Sequence, residues 1–199
     1  MHYHAECWFP TVVHIIETEL DEKIKPYCLK TRKDNPESLN ISNVNGYQSK
    51  HFFKEKDLVI KPALYKTFKE SICNVLDADL KIINYWININ GKGAYNRRHN
   101  HPQADFSGVY FIQCPKNCGN IVFDNPHTFT AFNELSSYKK DFTVQGYQHK
   151  GISIEPKAGL LLIFPAYLMH GVTENKSDKE RISIAFNCHS VPYDQSQFD

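Results

Sequence analysis

Residues 159–187 read GLLLIFPAYLMHGVTENKSDKERISIAFN, and they carry the clearest indication of the fold class. It begins with LLLIF, a continuous apolar run typical of a buried strand, which Pro165 ends. The segments LMHGV and RISIAFN flank the polar stretch TENKSDKE, a pattern that predicts a hairpin. In that hairpin His170 would lie opposite Ser183, and Arg181 would lie within two residues of it.

The strand pattern continues upstream of this stretch. Residues 81–90 (KIINYWININ) alternate and are rich in β-branched and aromatic side chains, and a Gly-Lys-Gly turn follows them. Residues 94–101 look extended, and further short strands are predicted at 107–113, 119–124 and 151–155. Short strands at regular spacing predict a mainly β fold, a double-stranded β-helix of the jelly-roll or cupin-like type with flanking N-terminal helices.

The pattern before residue 80 differs from the pattern after it. We predict a first strand within residues 6–16 broken at Pro10, a short helix over 19–30, a polar loop over 31–50 and a helix over 62–79. With no internal repeat or linker, residues 1–199 are predicted to form a single domain. Helical and loop support would occupy about 1–80 and the β-helix core about 81–190.

The bulk composition excludes several classes of protein. The chain has 199 residues, 41% of them hydrophobic, and a formal net charge of +1, so it is globular and gives no strong nucleic-acid signal. No apolar run approaches the roughly 20 residues of a membrane helix. No signal peptide is evident, so we expect a cytoplasmic location, the host cytoplasm if the protein is phage-encoded.

Six cysteines stand at irregular spacing, which favours reduced thiols. Cys114 and Cys118, in CPKNC, suggest a zinc site, but no second pair completes four ligands. We interpret this segment as a turn flanked by two inert cysteines.

The chemistry is indicated by three histidines and a cation. His99 and His101 are two residues apart on an extended segment and share a face, and His170 follows about 70 residues later. Arg181 and Ser183 share a face for the same reason, and a guanidinium matches a carboxylate. This pattern predicts a metal held between strands beside a pocket for an anionic co-substrate. Alternatively, each histidine alone could be structural, and Arg181 a surface residue.

These motifs resemble the 2-oxoglutarate/Fe(II)-dependent oxygenases (2OG-Fe(II) oxygenases). His99-x-His101-Pro102, the strand SGVYF, the segment GLLLIFPAYLMH and the strand RISIAFN are similar to a poorly characterised branch from marine phages and bacteria. Gly46-x-Gln48-Ser49 matches an upstream element of that pattern. The resemblance covers about residues 40–190.

The resemblance implies a dioxygenase that uses Fe(II), 2-oxoglutarate and O2, releases succinate and CO2, and hydroxylates an unidentified substrate. It implies that Arg181, supported by Ser183, binds the co-substrate, and that Tyr110 and Asn90 contribute to the same pocket. The superfamily's usual metal set is two histidines and one carboxylate, and His101 stands where that carboxylate is expected. The metal ligands would be His99, His101 and His170, with Asp105 as an alternative to His99.

Two other functions remain open from the sequence. Three histidines also suit a zinc lyase or hydrolase, and a non-enzymatic β-barrel binding module could retain a vestigial site. The substrate could be a small molecule, a protein or a nucleotide, contacted by the loops at 31–55 and 125–150. A homodimer is compatible with the sequence.

Overall fold

The computed structural model describes residues 11–19, 23–53, 79–126 and 151–191. These residues form the following elements: β1 His14–Glu17, α1 Ile24–Asp34, β2 Asn43–Val44, β3 Tyr47–Gln48, β4 Asp79–Asn90, β5 Tyr95–His99, β6 Phe106–Gln113, β7 Ile121–Asp124, β8 Gly151–Ile154, β9 Leu160–Pro165, β10 His170–Val172 and β11 Arg181–Val191. The predicted strands over 81–90, 107–113, 119–124, 151–155 and 160–164 are therefore confirmed, with ends shifted by up to two residues.

The strands form two antiparallel sheets. The order is β1-β9-β6-β11-β4-β3 in the six-stranded sheet and β2-β5-β10-β7-β8 in the five-stranded sheet. From β4 to β11 the chain places four strands in each sheet and crosses between the sheets repeatedly. This winding is the double-stranded β-helix, so the predicted fold class is confirmed.

Alternation along the strands separates an inner face from an outer face. Val109, Leu162 and Phe123, from β6, β9 and β7, pack together between the sheets. On the outer face of the six-stranded sheet, Ile24 of α1 packs into a second cluster with Ile184 and other apolar side chains. The inner face is where the site lies.

The predicted hairpin between His170 and Ser183 is wrong. His170 pairs with His99 of β5 and with Phe123 of β7, whereas β11 pairs with β4 and β6 in the other sheet. The polar stretch between them crosses from one sheet to the other, and the fully buried Asn175 holds it in place. The Asn175 Nδ2 donates to the Asn90 and Lys179 carbonyls at 2.8 and 3.0 Å.

Two predictions on the N-terminal half need correction. The helix predicted over 19–30 is found at Ile24–Asp34, and the loop predicted over 31–50 contains the end of that helix and the short strands β2 and β3. Both strands owe their pairing to β5 and β4, which local patterning does not reveal. The helix predicted over 62–79 falls largely on residues 54–78, which lie outside the described residues, as do residues 6–10 of the predicted first strand.

Among the described residues, no helix has the length and apolar character to cross a membrane.

Candidate active site

Three histidines converge between the sheets at the end of β5 and the start of β10. His99 is directly paired with His170, and His101 follows His99 by two residues. One ring nitrogen of each lies within 4.8 Å of those of the other two. The ring centroids are 4.5 Å apart for His99 and His170, and 5.2 Å apart for His101 and His170. Two strands distant in sequence thus build one group of donors.

Backbone carbonyls orient two of these rings. The Nδ1 of His99 lies 2.7 Å from the Arg97 carbonyl oxygen, and that of His170 lies 2.9 Å from the Leu168 carbonyl oxygen. A carbonyl accepts only from a protonated nitrogen, so Nδ1 carries the proton and Nε2 is left with its lone pair. Metal-binding histidines commonly have this outer support.

Burial keeps the imidazoles neutral. It lowers the pKa of His101 to about 3, aided by repulsion from His170 and His99, and to a smaller extent from His51. Burial and repulsion from His99 lower the pKa of His170 to about 4. Burial also lowers the pKa of His99, against the opposing hydrogen bond to Arg97. At neutral pH all three rings are therefore uncharged, with one nitrogen free of its proton, which is the form that binds a metal.

The donor set therefore fits a divalent metal. Three neutral imidazoles on one side leave further coordination positions for exogenous ligands, and imidazole suits iron and zinc alike.

Asp105, the alternative ligand, is directed elsewhere. Its carboxylate accepts hydrogen bonds from the backbone N–H and the hydroxyl of Ser190, both at 2.8 Å, and lies 3.5 Å from His189. The hydrogen bonds from Ser190 are the main cause of the lowered pKa of Asp105. The structure does not bring Asp105 to the three histidines.

Arg181 is the largest fully buried side chain among the described residues, with 1% of its surface exposed. Its Nη1 donates to the Cys118 carbonyl and, at 3.4 Å, to the Thr173 carbonyl just beyond β10. The guanidinium therefore reaches from one sheet to the other. Its Nη2 is buried without a hydrogen-bond partner, and no carboxylate from the described residues forms an ion pair with it. Burial lowers the pKa of Arg181, opposed by Cys118 and Cys114.

Ser183 lies on the inner face beside Arg181 and is 5% exposed. It is paired with Asn88 of β4, which in turn is paired with Gln48 of β3. The amide oxygens of Asn88 and Gln48 are buried without partners among the described residues. Neither residue was predicted for the site. The alternation in NYWININ of β4 was a usable signal for Asn88, because it places asparagines on the same face as the buried Trp86.

The two remaining predicted co-substrate residues differ in placement. Tyr110 packs in the outer cluster with Ile184, with which it is paired in the sheet, so the structure does not bring it to the histidines. Its hydroxyl accepts a hydrogen bond from Thr18 at 3.0 Å. Asn90 is paired with Arg181, but its amide donates to the Asn43 side chain at 2.7 Å and so joins β4 to β2.

Aromatic rings border the histidines. Phe164 lies edge-on to His170 at 4.6 Å, and Trp86 lies 5.7 Å from His101. A fourth histidine, His51, stacks on Trp86 at 4.8 Å. His51 could not be identified from the sequence, because it shares no spacing with the other histidines.

The comparisons with known proteins agree with this geometry. The family model described as "Putative 2OG-Fe(II) oxygenase" matches residues 84–187, just over half of the chain. No protein from the curated set matches by sequence.

Three solved structures show the fold. A prolyl-4-hydroxylase from Pseudomonas putida is 16% identical, with a TM-score of 0.58 over 89% of this chain and 92% of that one. A viral collagen prolyl hydroxylase from Paramecium Bursaria Chlorella virus-1, in its 2OG complex, is 17% identical, with a TM-score of 0.57 over 90% and 96%. HygX from Streptomyces hygroscopicus, with nickel and 2-oxoglutarate bound, is 9% identical, with a TM-score of 0.57 over 89% and 82%.

The predicted superfamily and its Fe(II) and 2-oxoglutarate cofactors are thereby confirmed, and the three histidines form a group that could hold the metal. The chain belongs to the 2OG-Fe(II) oxygenase family.

Proposed function

We propose that this protein is an Fe(II)- and 2-oxoglutarate-dependent dioxygenase that hydroxylates an unidentified substrate with release of succinate and CO2. In this proposal His99, His101 and His170 hold the iron, and Arg181 with Ser183 binds the distal carboxylate of 2-oxoglutarate.

The observation that carries the proposal is the buried guanidinium of Arg181, which has no carboxylate counter-charge among the described residues. A buried cation without a counter-charge is strongly destabilising, so such a residue is expected where an anionic ligand completes the pair. Its Nη2 is buried and has no hydrogen-bond partner in the part of the chain that the structure describes, and its Nη1 donates to the Thr173 carbonyl, three residues beyond His170. Three residues of extended chain span about 10 Å, which places the guanidinium within reach of a small dicarboxylate bound at the histidines.

Each residue has a distinct task. Arg181 provides a charge-assisted hydrogen bond that fixes the co-substrate's far end, and Ser183 offers a hydroxyl on the same face. The carbonyls of Arg97 and Leu168 hold two imidazoles in the ligand tautomer. Iron(II), when bound, supplies the activation of O2 that couples oxidative decarboxylation of 2-oxoglutarate to oxidation of the substrate.

The surrounding apolar side chains exclude water from this chemistry. Phe164 and Phe123 contact the His170 ring, with centroids at 4.6 and 5.9 Å, and are 1% and 4% exposed. Removing water strengthens the electrostatic attraction between Arg181 and a carboxylate.

A zinc lyase or hydrolase is the second candidate, because three neutral imidazoles are also a zinc set that activates water. That function does not require a buried Arg181.

Substrate identity, a homodimeric state and a cytoplasmic location remain predictions.

Metal and co-substrate binding together test the proposal. Protein purified without oxygen should hold iron at one equivalent, and 2-oxoglutarate added to it should produce a metal-to-ligand charge-transfer absorption band. His170→Ala should lose both. Succinate release should then rise with some substrate pools and not with others. Zinc in place of iron, or an iron protein that gives no band with 2-oxoglutarate, would contradict the proposal.

A further inference from the structure

The backbone on both sides of His51 is fixed to β4. The Ser49 N–H donates to the Ile87 carbonyl at 2.9 Å, and the Ile87 N–H donates to the Ser49 hydroxyl at 3.0 Å. Phe52 and Tyr85 exchange backbone hydrogen bonds at 2.8 and 3.0 Å. His51 lies between these anchors, so the position of its backbone is determined by the sheet.

A chain of aromatic rings connects His51 to the histidine group. The imidazole of His51 stacks on Trp86 with an interplanar angle of 25°. The Trp86 ring contacts His101 in turn, at 5.7 Å. His51 is also close enough to His101 to contribute to the lowering of its pKa.

The Nε2 atom of His51 is buried and has no hydrogen-bond partner among the described residues. A buried polar atom without a partner is unfavourable, and native structures keep such atoms mainly where a ligand or a water completes the bond. If stacking on Trp86 were the whole role of this side chain, a phenyl ring would serve it without leaving a polar atom unpaired.

Neither the metal nor 2-oxoglutarate, as placed above, accounts for the unpaired Nε2 atom of His51. His51 is outside the group of three histidines whose donor atoms lie within 4.8 Å of one another. Arg181 is paired with Asn90, four residues from Trp86 along β4, a distance of about 13 Å in a strand. The carboxylate anchor and His51 therefore lie at opposite ends of this stretch of β4.

We infer that His51, held against Trp86, binds the primary substrate by a hydrogen bond from or to its Nε2 atom. This inference rests on the proposed function, because it needs a substrate oxidised at the three-histidine group. The group recognised is an uncharged polar one, such as an amide or a hydroxyl. Burial lowers the pKa of His51, so the ring is neutral near pH 7 and provides no counter-charge for an anion.

The test uses the full chain loaded with zinc(II), which is diamagnetic, and saturated with 2-oxoglutarate so that no turnover occurs. Acetamide is the uncharged probe and acetate the charged one, and binding is followed by the ¹⁵N resonances of His51 and of the Trp86 indole. Acetamide should shift both resonances saturably, whereas acetate should shift neither. The variant His51→Phe keeps an aromatic ring stacked on Trp86. Its affinity for acetamide should fall about fivefold, which is the effect of one lost hydrogen bond.

Three comparisons complete the design. His51→Gln, which restores a polar side chain, should recover part of the acetamide affinity, and His189→Gln, a change at the exposed partner of Asp105, should have no effect. If acetamide moves neither resonance, or binds His51→Phe as well as the parent, the inference is overturned. If 2-oxoglutarate fails to bind the parent protein, the proposed function fails instead, and the two failures are read from the same samples.

Discussion

At the residue scale, the space between the two sheets is distinguished by polar side chains at inward-facing strand positions. Asn88, Arg181 and Ser183 occupy positions where burial normally selects apolar groups, and all three are at most 6% exposed. Polar groups in such positions reduce stability unless they are paired, which is why we propose that a ligand completes their hydrogen bonds.

Arg181→Ala should weaken 2-oxoglutarate binding by about 2–5 kcal/mol, because a buried charge-assisted pair is lost. Arg181→Lys should be partly defective, because lysine lacks the planar fork. Calorimetric titration of 2-oxoglutarate into the metal-loaded protein measures both. Arg98→Ala, which removes an exposed ion pair with Asp124, is the matched control and should bind normally. Unaltered affinity in Arg181→Ala would place the anchor elsewhere.

His99→Ala should lose iron(II) affinity, because it removes one of three converging imidazoles. Asp105→Ala should keep it, since the Asp105 carboxylate is bonded to Ser190. Anaerobic iron(II) titration of the two variants decides between them. Retention of metal in His99→Ala with loss in Asp105→Ala would restore the two-histidine, one-carboxylate set.

At the element scale, the turn between β6 and β7 positions the guanidinium. Gly119 has φ +88°, and a Cβ there would lie 2.2 Å from the Thr173 oxygen and 2.9 Å from Arg181 Nη1. The turn can therefore close over Arg181 only with glycine at this position.

Gly119→Ala should destabilise the protein by about 1–3 kcal/mol through backbone strain, with steric contacts adding to this. It should also weaken 2-oxoglutarate binding, because the guanidinium must move. Gly91→Ala, at a turn where a Cβ meets nothing within 4 Å, should change stability by less than about 0.5 kcal/mol. Urea unfolding of both variants measures the difference, and equal midpoints would contradict the assigned role of the turn.

At the scale of the whole molecule, the buried histidines couple stability to pH. Their folded-state pKa values lie below the ordinary 6.5, so the unfolded chain binds more protons between about pH 6.5 and pH 3–4. The contribution of these histidines to the free energy of unfolding of the metal-free protein should therefore be fully present above pH 6.5. It should be lost as the pH falls through this window.

His170→Phe should flatten that dependence, because it removes a titrating group that is 5% exposed. Its contribution is at most about 1.4 kcal/mol per pH unit. Chemical unfolding at pH 7.5, 6 and 5 compares the two proteins, and parallel curves would show that His170 is not buried in its neutral form. His189→Phe, at an exposed position, is the control.

Local patterning was sufficient for the longer strands that follow residue 80, although not for the short strands β2 and β3. Alternation in KIINYWININ predicted β4, and the apolar run LLLIF predicted β9. A strand buried on one face has apolar residues at every second position, and a strand buried on both faces is apolar throughout. The i and i+2 spacing of His99 and His101, and of Arg181 and Ser183, likewise predicted shared faces.

The pairing of the strands, and the face that each strand directs inward, could be known only from the tertiary structure. The chain order of β10 and β11 suggested a hairpin, but their partners lie in opposite sheets, so Arg181 reaches the site across the barrel. The face of Tyr110 and the arrival of His51 beside Trp86 also depend on contacts between residues distant in sequence. Strand pairing is set by the packing of the whole core, and a local pattern carries the period of a strand but not the identity of its partner.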